Sequence, residues 1–112
     1  MKIEVSIGEV VDKVSILSIK LEKIKNPEKL KNIEKEFNLL YEALKTTGIT
    51  RESKPFIELV NVNRTLWEIE DKIRIKEAKK EFDEDFIKLA RSVYFENDKR
   101  ADIKKQINVE YG

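Results

Sequence analysis

Residues 6–25 read SIGEVVDKVSILSIKLEKIK, and the way their apolar positions repeat decides the architecture. Val10, Val14, Leu17, Leu21 and Ile24 recur at spacings of 4, 3, 4 and 3, the signature of one buried helical stripe. Ile16 and Ile19 point about 130° or more away from that stripe. Ser15 and Ser18 beside them are small enough for close helix approach. A helix apolar on two sides is either central in its fold or presents its second face to another chain. The start is marked by Ser6, with Glu9 three residues on, a capping box in which the serine oxygen and the glutamate satisfy early backbone N–H groups.

Working outward, Asn26-Pro27 restarts the chain as an N-cap followed by proline at the first helical position. Leu30, Ile33, Phe37, Leu40 and Leu44 then form a single clean stripe, and Gly48 suits a stop. The connection at Asn26 is short, so these two helices form an antiparallel hairpin. TTGITRES, residues 46–53, is the main loop. A third helix starts near Ser53 or Lys54 and runs to about Lys80 with Leu59, Val62, Leu66, Ile69 and Ile73 as its seam. Asp83 caps a fourth, with Phe82 and Ile87 placed for a hydrophobic staple, and that helix reaches about Ile107 before a fraying NVEYG tail. Its buried face is expected to hold Phe86, Leu89, Ala90, Val93, Tyr94, Ala101 and Ile107, with Asn97, Arg100 and Lys104 inside it. Residues 2–5 alternate as a short strand or extended lead-in would. The expectation is an all-α, antiparallel bundle of four helices built from two helical hairpins, in one domain over residues 1–112.

Composition supports this and narrows the chemistry. The 112 residues are 40% charged and 40% hydrophobic, with three glycines and two prolines, which suits long helices with one buried face. A net charge of +1 offers little support for nucleic-acid or anionic-membrane binding. Lys99, Arg100, Lys104 and Lys105 cluster, but interspersed acids make them a solvated face. With no cysteine and no histidine, disulfides, thiolate chemistry, ordinary zinc sites and imidazole bases are excluded. No metal site or cofactor is implied. No apolar run approaches the roughly 20 residues that span a bilayer, and MKIEVSIGE lacks the apolar stretch of a signal peptide. The default location is the cytoplasm.

A second stripe on the third helix, Asn63, Trp67, Glu70, Arg74 and Glu77, lies about 100° from its seam. Antiparallel pairing from a turn near residues 82–83 brings Asn97 level with residues 67–70 and Arg100 level with about residue 65. A polar layer follows, with Asn63, Trp67, Glu70 and Arg74 facing Tyr94, Asn97 and Arg100. Unpaired buried polar groups cost a few kcal/mol, so these side chains bond to one another, to water or to a ligand. Two readings stay open: a structural network fixing helix register, or an interhelical site for a small polar or anionic ligand.

The blocks VSIGEVVDKVSILSIKLEKI, NxxLWEIEDKIR, FDxxFIxLARSVY and NDxRAxIKxxIN resemble an uncharacterised bacterial and phage family of small helical proteins. Its members begin around S-P-G-E-x-x-D-K-x-x-I-L; Ile7 stands here where that pattern has proline. The resemblance covers nearly the whole chain, is weaker near residues 45–58, and implies a helical protein without implying an activity. Its recurring polar positions correspond to Glu9, Asp12, Lys13, Asn63, Trp67, Glu70, Asp71, Arg74, Arg91, Tyr94, Asn97, Asp98 and Arg100.

Known helical chemistries fit poorly. An all-helical chorismate mutase shares only the idea of Arg, Lys and Glu between helices. A helical nucleotide pyrophosphohydrolase would need E-x-x-E before E-x-x-D, and here Glu68 and Asp71 precede Glu81 and Glu84. The alternative to a ligand site is a homo-oligomeric adaptor or structural protein, a dimer through helix one with Ile16 and Ile19 as the contact.

Overall fold

The computed structural model describes residues 6–112; the extended segment expected at residues 2–5 lies outside them. Four helices follow one another: α1 (Ile7–Lys23), α2 (Pro27–Leu44), α3 (Lys54–Ala78) and α4 (Glu84–Tyr111). There is no strand among the described residues. None of these helices is long and apolar enough to cross a membrane. The chain is a four-helix bundle of two hairpins, α1–α2 and α3–α4.

The helix boundaries follow local chemistry. Ser6 Oγ accepts from Glu9 N at 3.3 Å, so half of the capping box forms. The Glu9 carboxylate turns instead to Lys104 Nζ, 2.7 Å away on α4. Asn26 Oδ1 accepts from the backbone of both Glu28 and Lys29 at 3.0 and 3.2 Å, with Pro27 as the first residue of α2. A single 3-10 turn, Lys45–Thr47, ends on Gly48 at φ +83°, a conformation glycine adopts without penalty. Asp83 accepts from Phe86 N at 3.0 Å and starts α4 as expected. Phe82 and Ile87, placed for a staple, are both exposed, and Phe82 meets Phe86 edge to face at 5.2 Å.

Of the two explanations for the two-faced first helix, centrality accounts for it. α1 packs against α2, α3 and α4, whereas α2 packs chiefly on α1. Val11, Val14 and Leu17 sit in one core with Phe37 and Leu44 of α2, Leu59, Val62 and Leu66 of α3, and Ile103 and Ile107 of α4. The loop contributes Ile49, and the first turn of α3 contributes Phe56. Ile19, on the second face, is 1% exposed within the single chain. Burial within the chain thus accounts for Ile19, while Ile16, the other residue of the expected contact, is half-buried.

α4 differs from expectation in two respects. Its inward stripe is Phe86, Leu89, Val93, Glu96, Arg100, Ile103 and Ile107, at alternating spacings of 3 and 4, so Ile103 is buried while Ala101 is exposed. Tyr94 stands about 100° round the helix from Val93 and is 74% exposed. The tail does not fray: α4 continues to Tyr111 because Ile107 is fully buried, Asn108 bonds to α1, and Tyr111 packs on the core.

α3 and α4 contain 25 and 28 residues against 17 in α1, or lengths of about 37, 42 and 25 Å. The α3–α4 hairpin therefore outruns the helix that covers it. The radius of gyration, 15.9 Å, exceeds the roughly 13 Å of a compact chain this long. At the hairpin tip α3 closes with Lys80 at φ +56° and Glu81 N bonded to Lys76 O at 2.8 Å, a left-handed C-terminal motif built without glycine.

Candidate functional site: a cleft beside Trp67

The site begins with a buried acid. Asp12, Ser15 and Ile19 share the second face of α1 at spacings of 3 and 4, and that face turns toward α3 and α4. Asp12 is only 3% exposed. A carboxylate so far from water must be paired and hydrogen-bonded, and two helices supply its partners. From α4, Arg100 Nε donates to Asp12 Oδ1 at 2.9 Å, and Arg100 Nη2 donates to Oδ2, a two-pronged pairing. From α3, Asn63 Nδ2 donates to Asp12 Oδ1 at 2.9 Å and to Ser15 Oγ at 2.8 Å. The Ser15 hydroxyl in turn donates to the Asp12 carbonyl at 2.6 Å.

One turn away the clamp between α1 and α4 continues. Gly8 N donates to Asn108 Oδ1 at 2.8 Å, so a side chain from the far end of the sequence caps α1. A Cβ on residue 8 would fall 2.6 Å from the Lys104 carbonyl oxygen, which is why glycine stands there. The Asp12 carboxyl is pulled in two directions. Burial, the largest influence, pushes its pKa up; hydrogen bonds from Arg100 and Asn63 and the charges of Arg100 and Lys104 outweigh it and leave the pKa below 3.8. The Asp12–Arg100 pair is ionised at neutral pH and ties three helices together.

On the solvent side of this clamp is a cleft of about 200 Å³. Ile16, Ile19 and Leu66 form its apolar wall, and Asn63, Trp67, Glu70, Asn97 and Arg100 its polar one. The polar layer read from the sequence is thus partly gathered here. Asn63, Trp67, Glu70, Asn97 and Arg100 line one cavity; Arg74 and Tyr94 do not. Arg74 lies on the exposed surface, bonded to Asp71 at 2.7 Å. Tyr94 precedes Asn97 by one turn and continues the stripe past the end of the cleft into solvent.

The centre of the network, Asp12, is absent from the layer derived by pairing α3 with α4, because it sits on neither. Its signals were its place with Asn63 and Arg100 among the recurring polar positions of the family pattern and its place on the second face of α1, three residues before Ser15 and seven before Ile19. Several cleft groups keep capacity for water or a ligand; Glu70 and Asn97 are exposed, so Asn97 lies at the rim of the cleft and not inside the buried face of α4 expected from the sequence. Among the described residues Glu70 has no ion-pair partner, and neither Trp67 Nε1 nor the Asn97 carboxamide has a hydrogen-bond partner (the same holds for Asn63 Oδ1).

These features define a small helical-bundle protein whose central helix is locked to the α3–α4 hairpin by a buried aspartate–arginine pair. The chain belongs to the family of unknown function DUF6165, whose sequence model matches residues 1–112. No curated protein and no solved structure matches it.

Proposed function

We propose that the chain binds a small polar molecule in the cleft beside Trp67. One observation carries the reading: an apolar wall faces polar groups that converge without being fully paired to one another, the usual anatomy of a small-molecule site. Asp12 and the Arg100 prongs that hold it belong to the scaffold; Trp67, Glu70 and Asn97 belong to the ligand. The volume sets the ligand's size, since about 200 Å³ corresponds to roughly seven water molecules. The reading is of a binder rather than a catalyst, because the one deeply buried acid is committed to Arg100 and holds no proton to exchange near neutral pH.

The test is a screen of small polar fragments by saturation-transfer NMR, run on the wild type and on Ile16→Trp, which fills the cleft from its half-buried rim. Hits on the wild type that vanish in the filled variant support the site. A screen in which every hit survives the filling, or none is found, leaves only the structural network.

A second reading has its own observation. Ile75, Phe82, Ile87, Tyr94 and Phe95 are each 55% exposed or more, and all lie on the distal part of the α3–α4 hairpin. That segment carries both charge signs at close quarters, with Lys72, Lys76 and Lys88 beside Glu81 and Asp85 around one groove. Mixed charges around apolar residues suit pairing with a second copy about a two-fold axis. Light scattering on Ile87→Lys/Phe95→Lys tests it: the doubly substituted chain has half the mass of the wild type, and equal masses refute the dimer.

A further inference from the structure

Resting on the cleft reading above, we infer that the ligand is a small organic cation, an ammonium or guanidinium group held between the indole of Trp67 and the carboxylate of Glu70. The argument is one of charge already committed. Two cations on this side of the bundle are taken: Arg100 by Asp12 through two hydrogen bonds, and Lys104 by Glu9 at 2.7 Å. Lys20 and Lys23, one turn beyond Ile16 and Ile19, form no ion pair among the described residues but do not line the cleft. Arg74, one turn beyond Glu70, is held by Asp71 at 2.7 Å. Glu70 is the one carboxylate that lines the cleft, and it forms no ion pair among the described residues, though Arg100 and Arg74 both feel its charge. An anion could meet only the N–H groups that Arg100 does not give to Asp12, and would do so in the field of the Glu70 carboxylate. The cationic reading thus departs from the small anionic ligand that Arg100 suggests from the sequence.

The aromatic residue fits the same sign. The indole face carries negative electrostatic potential and is the best side-chain surface for a cation, and Trp67 precedes Glu70 by three residues on one helix face. Asn63 Oδ1 adds an acceptor, since both hydrogens of that amide are donated to Asp12 and Ser15. Apolar carbon on the cation would rest against Ile16 and Ile19. Recognition through an aromatic face, a carboxylate and an apolar wall suits a methylated or primary amine of a few heavy atoms.

Three probes of nearly equal shape isolate the charge: tetramethylammonium, tert-butanol and pivalate. Trp67 is the single tryptophan, so its emission reports directly on the cleft. At constant ionic strength, tetramethylammonium is expected to give a saturable change with at least tenfold tighter binding than tert-butanol, and pivalate none. Glu70→Gln is expected to weaken tetramethylammonium at least fivefold, while Glu42→Gln, on α2 and outside the cleft, leaves it unchanged. Pivalate or tert-butanol binding as tightly as tetramethylammonium would overturn the cation assignment and keep the ligand site. Unchanged tetramethylammonium affinity in Glu70→Gln would do the same. No saturable response to any of the three would overturn both.

Discussion

Arg100→Met separates scaffold from site. Methionine replaces the arginine stem without its charge, so the variant keeps most of the packing and removes both hydrogen bonds to Asp12. Removing one partner of a buried pair typically costs about 3–5 kcal/mol, because the other charge stays buried. The Arg100 side chain is 29% exposed, and Asn63 still donates one bond to Asp12, which puts the loss near the lower end, about 3 kcal/mol. Against a total stability of about 5–15 kcal/mol this is large but survivable. With a urea slope of about 1.5 kcal/mol/M, the unfolding midpoint followed by helical circular dichroism falls by about 2 M. The pH dependence identifies the cause. In the wild type the folded pKa of Asp12 lies below 3.8, so its stabilising contribution is complete above that value and is lost as pH falls through the folded pKa. In the variant, burial opposed mainly by Asn63 moves the carboxyl the other way, so protonation relieves it. The difference between the two proteins is therefore greatest at pH 7 and shrinks below about pH 4. A loss under 1 kcal/mol at pH 7, or one equal at pH 7 and pH 3.5, would refute the account of Asp12 and Arg100 as an ionised buried pair.

Other consequences are as direct. Gly8→Ala gains up to about 1 kcal/mol of helix propensity but drives a methyl against the Lys104 carbonyl at 2.6 Å; a net loss of about 1–3 kcal/mol is expected in thermal melts, and a net gain would mean that α1 and α4 separate easily. Lys80→Gly relieves a left-handed residue at the end of α3 and should raise stability by about 1 kcal/mol in the same assay. Asn108→Ala should lower stability by about 1 kcal/mol as the cap on Gly8 N is lost, with hydrogen exchange rising first at the start of α1. Ile19→Lys buries an ammonium at a 1% exposed position and should reduce helical circular dichroism; a folded variant of lower mass would restore α1 as a contact between chains.

Much of this was legible because helices announce themselves by period. The stripes on α2 and α3 are where their spacing puts them, and Asn26, Asp83 and Gly48 act as cap, cap and stop. Less legible was anything dependent on three bodies at once. Pairing α3 with α4 brings Asn63 and Arg100 near one level, yet what joins them is Asp12, which a two-helix argument cannot contain. Tyr94 misled because the face was drawn wide enough to include it beside Val93, whereas the inward stripe runs through Val93 and Glu96 and leaves Tyr94 in solvent. The tail misled for a related reason. NVEYG lacks apolar periodicity, and its order comes from Asn108 and Tyr111 meeting other parts of the fold.

The hydrogen bond from Gly8 to Asn108 spans 100 positions of a 112-residue chain, and it has a bearing on how the molecule is made. The helix at the middle of the fold is synthesised before Arg100, Ile103, Ile107 and Asn108, its partners on α4. Such distant pairings slow folding by raising mean contact separation. Until α4 has been made, α1 can meet α2 and α3, but Asp12 lacks its arginine. Stable burial of that acid is thus a late event, and a ribosome stalled before residue 100 would hold a chain that has not yet acquired its defining contact.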